Sequence, residues 1–233
     1  MIGRGAAGAA LAAGAAWSLP ALAPVLPALA GAIGVERTTG SRRVALTFDD
    51  GPHPEGTPAV LERLDAAGVK ATFFLVGEQV LSFPGLAARI VEEGHEVAIH
   101  GFRHRVQLRL TPSALAGDLT AAKAVIGEAT GVAPTLHRPP LGIYSWPGLV
   151  EVRRRGWRPL LWSRWGRDWS SRSTPASIAR LAGAGARPGD VILLHDADWY
   201  SDPGCWRNAV DALPALLGRL SISGLQVGPV GAG

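Results

Sequence analysis

Two patterns of hydrophobic and polar positions divide the chain. Residues 5–35 carry no charge at all, whereas beyond Gly40 short apolar runs alternate with stretches whose apolar residues recur at helical spacing. In this second region residues 44–48 form a compact apolar run with β-branched and aromatic members, which reads as a buried strand. A turn follows at Gly51-Pro52, and a helix is predicted to start at Thr57-Pro58. Thr can cap free N–H groups there, and Pro at the first helical position has none to leave unpaired. Leu61, Leu64 and Ala67 then fall at helical spacing, and Gly68 supplies the stop.

The rhythm recurs. Strands are predicted at 71–76, 96–99, 135–137, 160–162, 191–194 and 225–227, and helices at 84–93, from Thr111-Pro112, at 146–155, from Thr174-Pro175 and at 206–217. Gly94 and Gly156 close two of these helices. Seven or eight strand–helix units imply an α/β fold with a parallel sheet, because parallel strands need crossover helices. That number suits a barrel, complete or not, better than an open doubly wound sheet, the structural alternative.

The uncharged segment follows Arg4 and precedes Glu36, Arg37, Arg42 and Arg43. About 20 apolar residues span a bilayer, so its length suffices, although Gly and Ala dominate it and Pro20, Pro24 and Pro27 interrupt its second half. Residues 5–19 resemble the apolar core of a signal peptide, which Ala21-Leu22-Ala23 or Ala28-Leu29-Ala30 can end. A cleaved signal, an uncleaved anchor and a loosely packed arm all fit. Residues 1–38 are accordingly read as an apolar N-terminal segment, signal peptide or membrane anchor. Residues 39–233 are read as one domain, since 233 residues are too few for two comfortable ones. The expected location is membrane-anchored or secreted, facing the cell wall, with membrane contact through the N-terminal segment.

Composition alters this picture little. The single cysteine, Cys205, excludes an intramolecular disulfide and a thiolate metal framework, and reads as a packed or surface thiol. A net charge of +4 favours anionic surroundings. The arginines are scattered, with no run longer than Arg153, Arg154 and Arg155, and no nucleic-acid motif accompanies them, so nucleic acid is not an expected partner. Oligomeric state leaves no trace in the sequence.

The chemistry-bearing residues fall in one kind of place, just past the predicted strands. Asp49 and Asp50 follow the first, His100 and His104 the third, Arg138 the next, Asp168 lies in the loop after 160–162, and His195 and Asp196 end the strand at 191–194. In parallel α/β barrels the carboxyl ends of the strands converge on one face, where active sites are built. Asp and His without cysteine suit a divalent metal such as Zn²⁺. His100 and His104, four apart, can reach one ion if they share a helical turn. An ion with two or three protein ligands keeps positions open for water and substrate, which suits amide or ester hydrolysis. Consecutive carboxylates on a strand point to opposite faces, so Asp49 and Asp50 should take different jobs unless a turn intervenes; one can bind metal while the other serves as a base. Capping of the turn is the plainer role for both.

Thr47-Phe48-Asp49-Asp50-Gly51-Pro52, His100-x-x-x-His104, Arg138-Pro139-Pro140-x-Gly142, Asp168-Trp169 and Leu193-x-His195 resemble, in order, the five motifs of the polysaccharide deacetylases, the NodB-homology domain or carbohydrate esterase family 4. The resemblance runs from about residue 44 to 195. It implies a distorted (β/α)7 barrel, with 39–233 as the catalytic domain. It implies Asp49 as general base, Asp50, His100 and His104 as ligands of a divalent metal (usually Zn²⁺), and His195 as general acid. Arg138 would hold Asp49 and Asp168 would orient His195. Trp169 and Leu193 would line a pocket for the acetyl methyl, and the Leu141 N–H would help bind the oxyanion. Two positions depart from the family pattern: Trp165 stands where a further Asp is common, and Leu141 where Tyr is common. Trp165 can close part of the cleft or stack on a sugar ring. His53 and His95 match no ligand position and read as turn or structural residues, and His137 is given no role. The implied reaction is N-deacetylation of an amino-sugar polymer such as peptidoglycan or chitin-like oligomers. The alternatives are O-deacetylation of an acetylxylan-type ester and a catalytically silent carbohydrate-binding domain.

Overall fold

In a computed structural model, residues 14–231 are described. Residues 5–13, the first part of the expected signal-peptide core, lie outside the described residues.

β1 (Val44–Asp49) is buried along its whole length and forms the middle of a parallel sheet. Chain order continues with α2 (Gly56–Ala66), β2 (Thr72–Leu75), α3 (Gly77–Ser82), α4 (Pro84–Glu92) and β3 (Glu96–Ile99). Then come α5 (Pro112–Thr130), β4 (Leu136–His137), α6 (Trp146–Arg154), β5 (Arg158–Pro159), β6 (Arg164–Trp165), α7 (Pro175–Gly183), β7 (Val191–His195), α8 (Cys205–Ile222) and β8 (Val227–Gly228). A short α1 (Pro27–Ala32) precedes β1. The strands follow the order β5-β4-β3-β2-β1-β7-β6, with β8 beside the start of β1. All the strand pairs are parallel. The result is a half-barrel surrounded by helices, the distorted (β/α)7 architecture implied by the motifs.

Local chemistry explains the helix starts. The Thr111 hydroxyl accepts from the Ala114 N–H at 3.2 Å, and Thr174 and Ser177 form a reciprocal capping box. α5 ends at Gly131, whose φ of 69° only glycine adopts without strain.

Three sequence expectations need correction. The strand predicted at 160–162 does not form. β5 ends before it and β6 starts after it, and the carbonyls of Leu160 and Leu161 instead accept from the Arg138 guanidinium. An apolar run looks alike whether its carbonyls join a ladder or solvate a buried cation. α3 was not foreseen, because no cap or Pro marks its start. α8 runs on to Ile222 with Pro214 inside it, and the closing strand sits at Val227–Gly228 rather than 225–227.

The sheet path ends at β5 on one side and β6 on the other, and residues 35–39 lie across this seam. Glu36 donates to the Pro159 carbonyl at 2.9 Å and accepts from the Leu161 N–H at 2.8 Å, while Thr39 donates to Gly189 at 2.7 Å. Ala23, Ala30 and Val35 are buried, at 0, 1 and 3 % exposure. The later part of the segment read as 1–38 thus contributes to the folded core. Among the described residues no helix is long and apolar enough to cross a membrane.

Candidate active site

Register brings the site together. Asp49, the last residue of β1, stands beside Phe74 on β2 and His195 on β7. Ile99, the last of β3, pairs with His137 on β4, so His100 and Arg138 leave neighbouring strand ends side by side. Asp50 then turns out of the strand with φ 79°. That left-handed residue is the intervening turn, and it lets two consecutive carboxylates face one cavity. The cavity, about 170 Å³, is lined on its polar side by Asp49, Asp50, His100, His104 and His195.

Asp50, His100 and His104 offer donor atoms that all lie within 4.8 Å of one another. The Nε2 atoms of His100 and His104 stand 3.3 and 3.4 Å from Asp50 Oδ1, and that oxygen is buried with no hydrogen-bond partner. His100 Nδ1 lies 2.9 Å from the Arg138 carbonyl, which accepts its proton and leaves Nε2 as the free lone pair. Burial lowers the His104 pKa to about 4, against the pull of Asp50, so this ring is neutral. Burial alone would raise Asp50, yet the surrounding histidines hold it at about 2, so it is ionised. One carboxylate, with an orphaned buried oxygen, and two imidazoles fit a divalent cation of the zinc type. His100 and His104 do not share a helical turn as expected: the chain past β3 is irregular, with Gly101 at φ 99°. Asp118 holds this loop, accepting from the Phe102 N–H and the Arg105 guanidinium, each at 2.8 Å.

Arg138 is wholly buried and fully used. It donates to Asp49 Oδ1 at 2.6 Å, to the Thr47 hydroxyl at 2.9 Å and to the Leu160 and Leu161 carbonyls, and it lies 4.0 Å over the Phe74 ring. Burial lowers its pKa and Asp49 works against that. One Asp49 oxygen is therefore tied down, and Oδ2 is the one that remains for a reacting group. On the opposite side His195 meets Asp168 twice: its N–H donates to Oδ2 at 2.6 Å and Nδ1 lies 3.1 Å from Oδ1. Burial would depress the His195 pKa, but Asp168, Asp50 and Asp49 outweigh it and raise it to about 10. A cation beside Asp50 would bring that value down by repelling the proton.

The remaining wall is apolar. Trp162, Trp165 and Trp169 follow one another in ring contact, with centroids 5.7 and 4.9 Å apart, and Trp169 meets His195 edge-on at 6.1 Å. Leu193 closes the floor, and Leu141, at φ 58° and 58 % exposed, stands at the rim. All eleven site residues named from the sequence therefore border this cavity or hold a residue that does.

Besides Trp162, two residues escaped assignment. Tyr200 stacks on His104 at 4.0 Å and 8°, its hydroxyl held by Gln79 and Glu78 at 3.1 and 3.0 Å. Asp196 is buried beneath the first motif. It accepts from the Thr57 hydroxyl at 2.5 Å, and burial raises its pKa to about 7. A β-carbon on Gly51 would fall 2.5 Å from its carboxylate, and one on Gly56 would fall 2.1 Å from its carbonyl, so both glycines make room for it. Its position right after His195 was the available signal. His53 takes a structural part, accepting from the Glu55 and Gly56 N–H groups, as His95 does from Ala71. His137 packs against Tyr144, and Cys205 is buried.

The polysaccharide deacetylase family profile matches residues 36–158. The chain belongs to that family. A chitooligosaccharide deacetylase from a Bradyrhizobium species is 35 % identical over 202 residues, covering 82 % of this chain and 90 % of the relative. A peptidoglycan-N-acetylglucosamine deacetylase from Listeria monocytogenes is also 35 % identical, over 162 residues. That match covers 70 % of this chain but only 34 % of the longer relative. A solved peptidoglycan N-acetylglucosamine deacetylase superposes with a TM-score of 0.77 at 29 % identity, covering 84 % of this chain and 89 % of the other. Family membership makes the chain a polysaccharide deacetylase, a hydrolase, and agrees with what the five motifs implied for family and fold.

Proposed function

We propose that the chain removes N-acetyl groups from amino-sugar polymers such as peptidoglycan or chitin-like oligomers, outside the cell, with a divalent ion (Zn²⁺ by its donor set) held by Asp50, His100 and His104. The observation that carries this reading is the placement of Asp49 and His195 on adjacent strand ends, each with its own buried partner, at the edge of that donor set. When bound, the ion supplies Lewis-acid polarisation of the acetyl carbonyl and lowers the pKa of a water. Asp49 takes the proton of the attacking water through the oxygen that Arg138 leaves free. The Leu141 N–H donates to the carbonyl oxygen as negative charge develops on it. His195, oriented by Asp168, gives its proton to the departing nitrogen, so the amide becomes a carboxylic acid and a free amine. Leu193 and Trp169 receive the acetyl methyl, and Trp165 receives a sugar face.

The test is acetate release from N-acetylglucosamine oligomers and peptidoglycan fragments by the full chain, with and without chelator. The full chain matters because residues 35–39 close the barrel seam. Release that chelator abolishes and Zn²⁺ restores is the expected result. No release by protein carrying one equivalent of metal would overturn the reading.

A further inference from the structure

The described part of the uncharged segment leaves several large apolar side chains in the open. Leu19, Leu22, Val25 and Leu26 are 42, 46, 69 and 47 % exposed. They do not hang free of the barrel. The 3-10 turn Leu19–Leu22 packs on α6, and Arg153 of α6 donates to the Ile33 carbonyl. Pro24 reaches the active-site wall: a β-carbon on Gly142 would come 3.2 Å from Pro24 and 2.6 Å from Trp162, and both Gly142 and Trp162 line the cavity. α6 contributes its own outward stripe, Trp146 and Val150, one turn apart and 42 and 41 % exposed. Leu141, itself 58 % exposed, lines the same cavity. Monomeric soluble domains rarely gather exposed apolar side chains from several segments in one place, and such a gathering marks an interaction surface.

We propose that this face rests on a lipid bilayer, in the interfacial region, and holds the cavity mouth at the membrane surface. Two observations select lipid over another occupant. The sequence continues from Gly14 back to Gly5 without a charge. The α6 stripe runs into Arg153 and Arg154, exposed basic side chains suited to anionic headgroups. No described helix is long and apolar enough to span, so the described residues meet lipid by lying on it. The inference is independent of the reaction assigned to the cavity.

The experiment uses the full chain and vesicles of phosphatidylglycerol and phosphatidylethanolamine in equal amounts. Single cysteines at Val25, Val150 and Ile222 carry an environment-sensitive fluorophore; the native Cys205 is 1 % exposed and stays unlabelled. Ile222, 91 % exposed at the end of α8, serves as the control, since α8 packs against α2 and α7. The expected result is a blue shift on vesicle addition at positions 25 and 150 and none at 222. The double substitution Trp146→Glu, Val150→Glu should lower vesicle partitioning about tenfold or more while acetate release from soluble oligomers and the melting temperature stay unchanged. Absence of vesicle binding would overturn the proposal. So would a shift at 25 without one at 150, which is the signature of a simple tether, or shifts that occur without lipid as the chain dimerises.

Discussion

On one side of the cavity Asp49, His100, Arg138 and His195 sit at or one residue past the ends of hydrogen-bonded strands, and each is fixed by a buried or half-buried hydrogen bond. On the other, Trp165 belongs to a strand of two residues, Trp162 and Trp169 belong to none, and ring contacts join the three. Ladder register fixes a side chain to a fraction of an ångström, as proton transfer requires. Ring-on-ring packing tolerates volume-conserving change. The polar wall is thus suited to carry the reaction and the aromatic wall to choose the substrate, and substitutions should separate the two.

The largest effect belongs to Asp49→Asn. We expect kcat to fall on the order of 10²–10⁴-fold with metal still bound near one equivalent, measured by acetate release and metal analysis side by side. Asp196→Asn tests the support beneath the polar wall. The folded-state pKa of Asp196, about 7, lies above the ordinary carboxylate value, so its protonated form favours the fold. That stabilisation is complete at low pH and is lost as pH rises through about 7, an effect of a few kcal/mol in order of magnitude. Asn cannot ionise, so the variant lacks this component: in urea melts the parent's stability relative to the variant's should decline between about pH 4 and 7, on top of the histidine titrations the two proteins share. Tyr200→Ala removes the ring stacked on His104 and should weaken Zn²⁺ affinity about 10- to 100-fold, with Tyr200→Phe recovering most of it; equal losses in both would place the effect in the hydroxyl contacts instead. Smallest is Trp165→Ala, expected to raise KM for longer oligomers by about tenfold or less while kcat stays near the parent's. A kcat loss there would erase the division between the walls.

The polar wall was legible in the sequence for a physical reason. A parallel strand must end in a loop, those ends converge, and Asp and His at such ends are costly residues that packing alone does not call for. Of the aromatic wall, Trp169 and Trp165 were legible through the motifs, but Trp162 and the ring contacts that join the three were not, because contacts between rings leave no periodic trace. Tyr200 on His104 escaped for the same cause. The left-handed turn at Asp50 was left open, since neither a strand period nor the Gly51-Pro52 pair states which way the second carboxylate swings. The 160–162 run misled because hydropathy does not say where carbonyls go. The seam formed by residues 35–39 was hidden by the apolar segment before it, which drew the boundary to 38.

That seam also orders events in time. Arg37 and Thr39 close their contacts with Trp162 and Gly189, partners 125 and 150 residues further along the chain. During synthesis or threading through a pore the residues made first must wait for almost the last strand before they can dock. Closure of the barrel seam is then a late checkpoint in maturation, and a chain truncated before residue 189 should expose an unpaired edge that quality-control proteases can recognise.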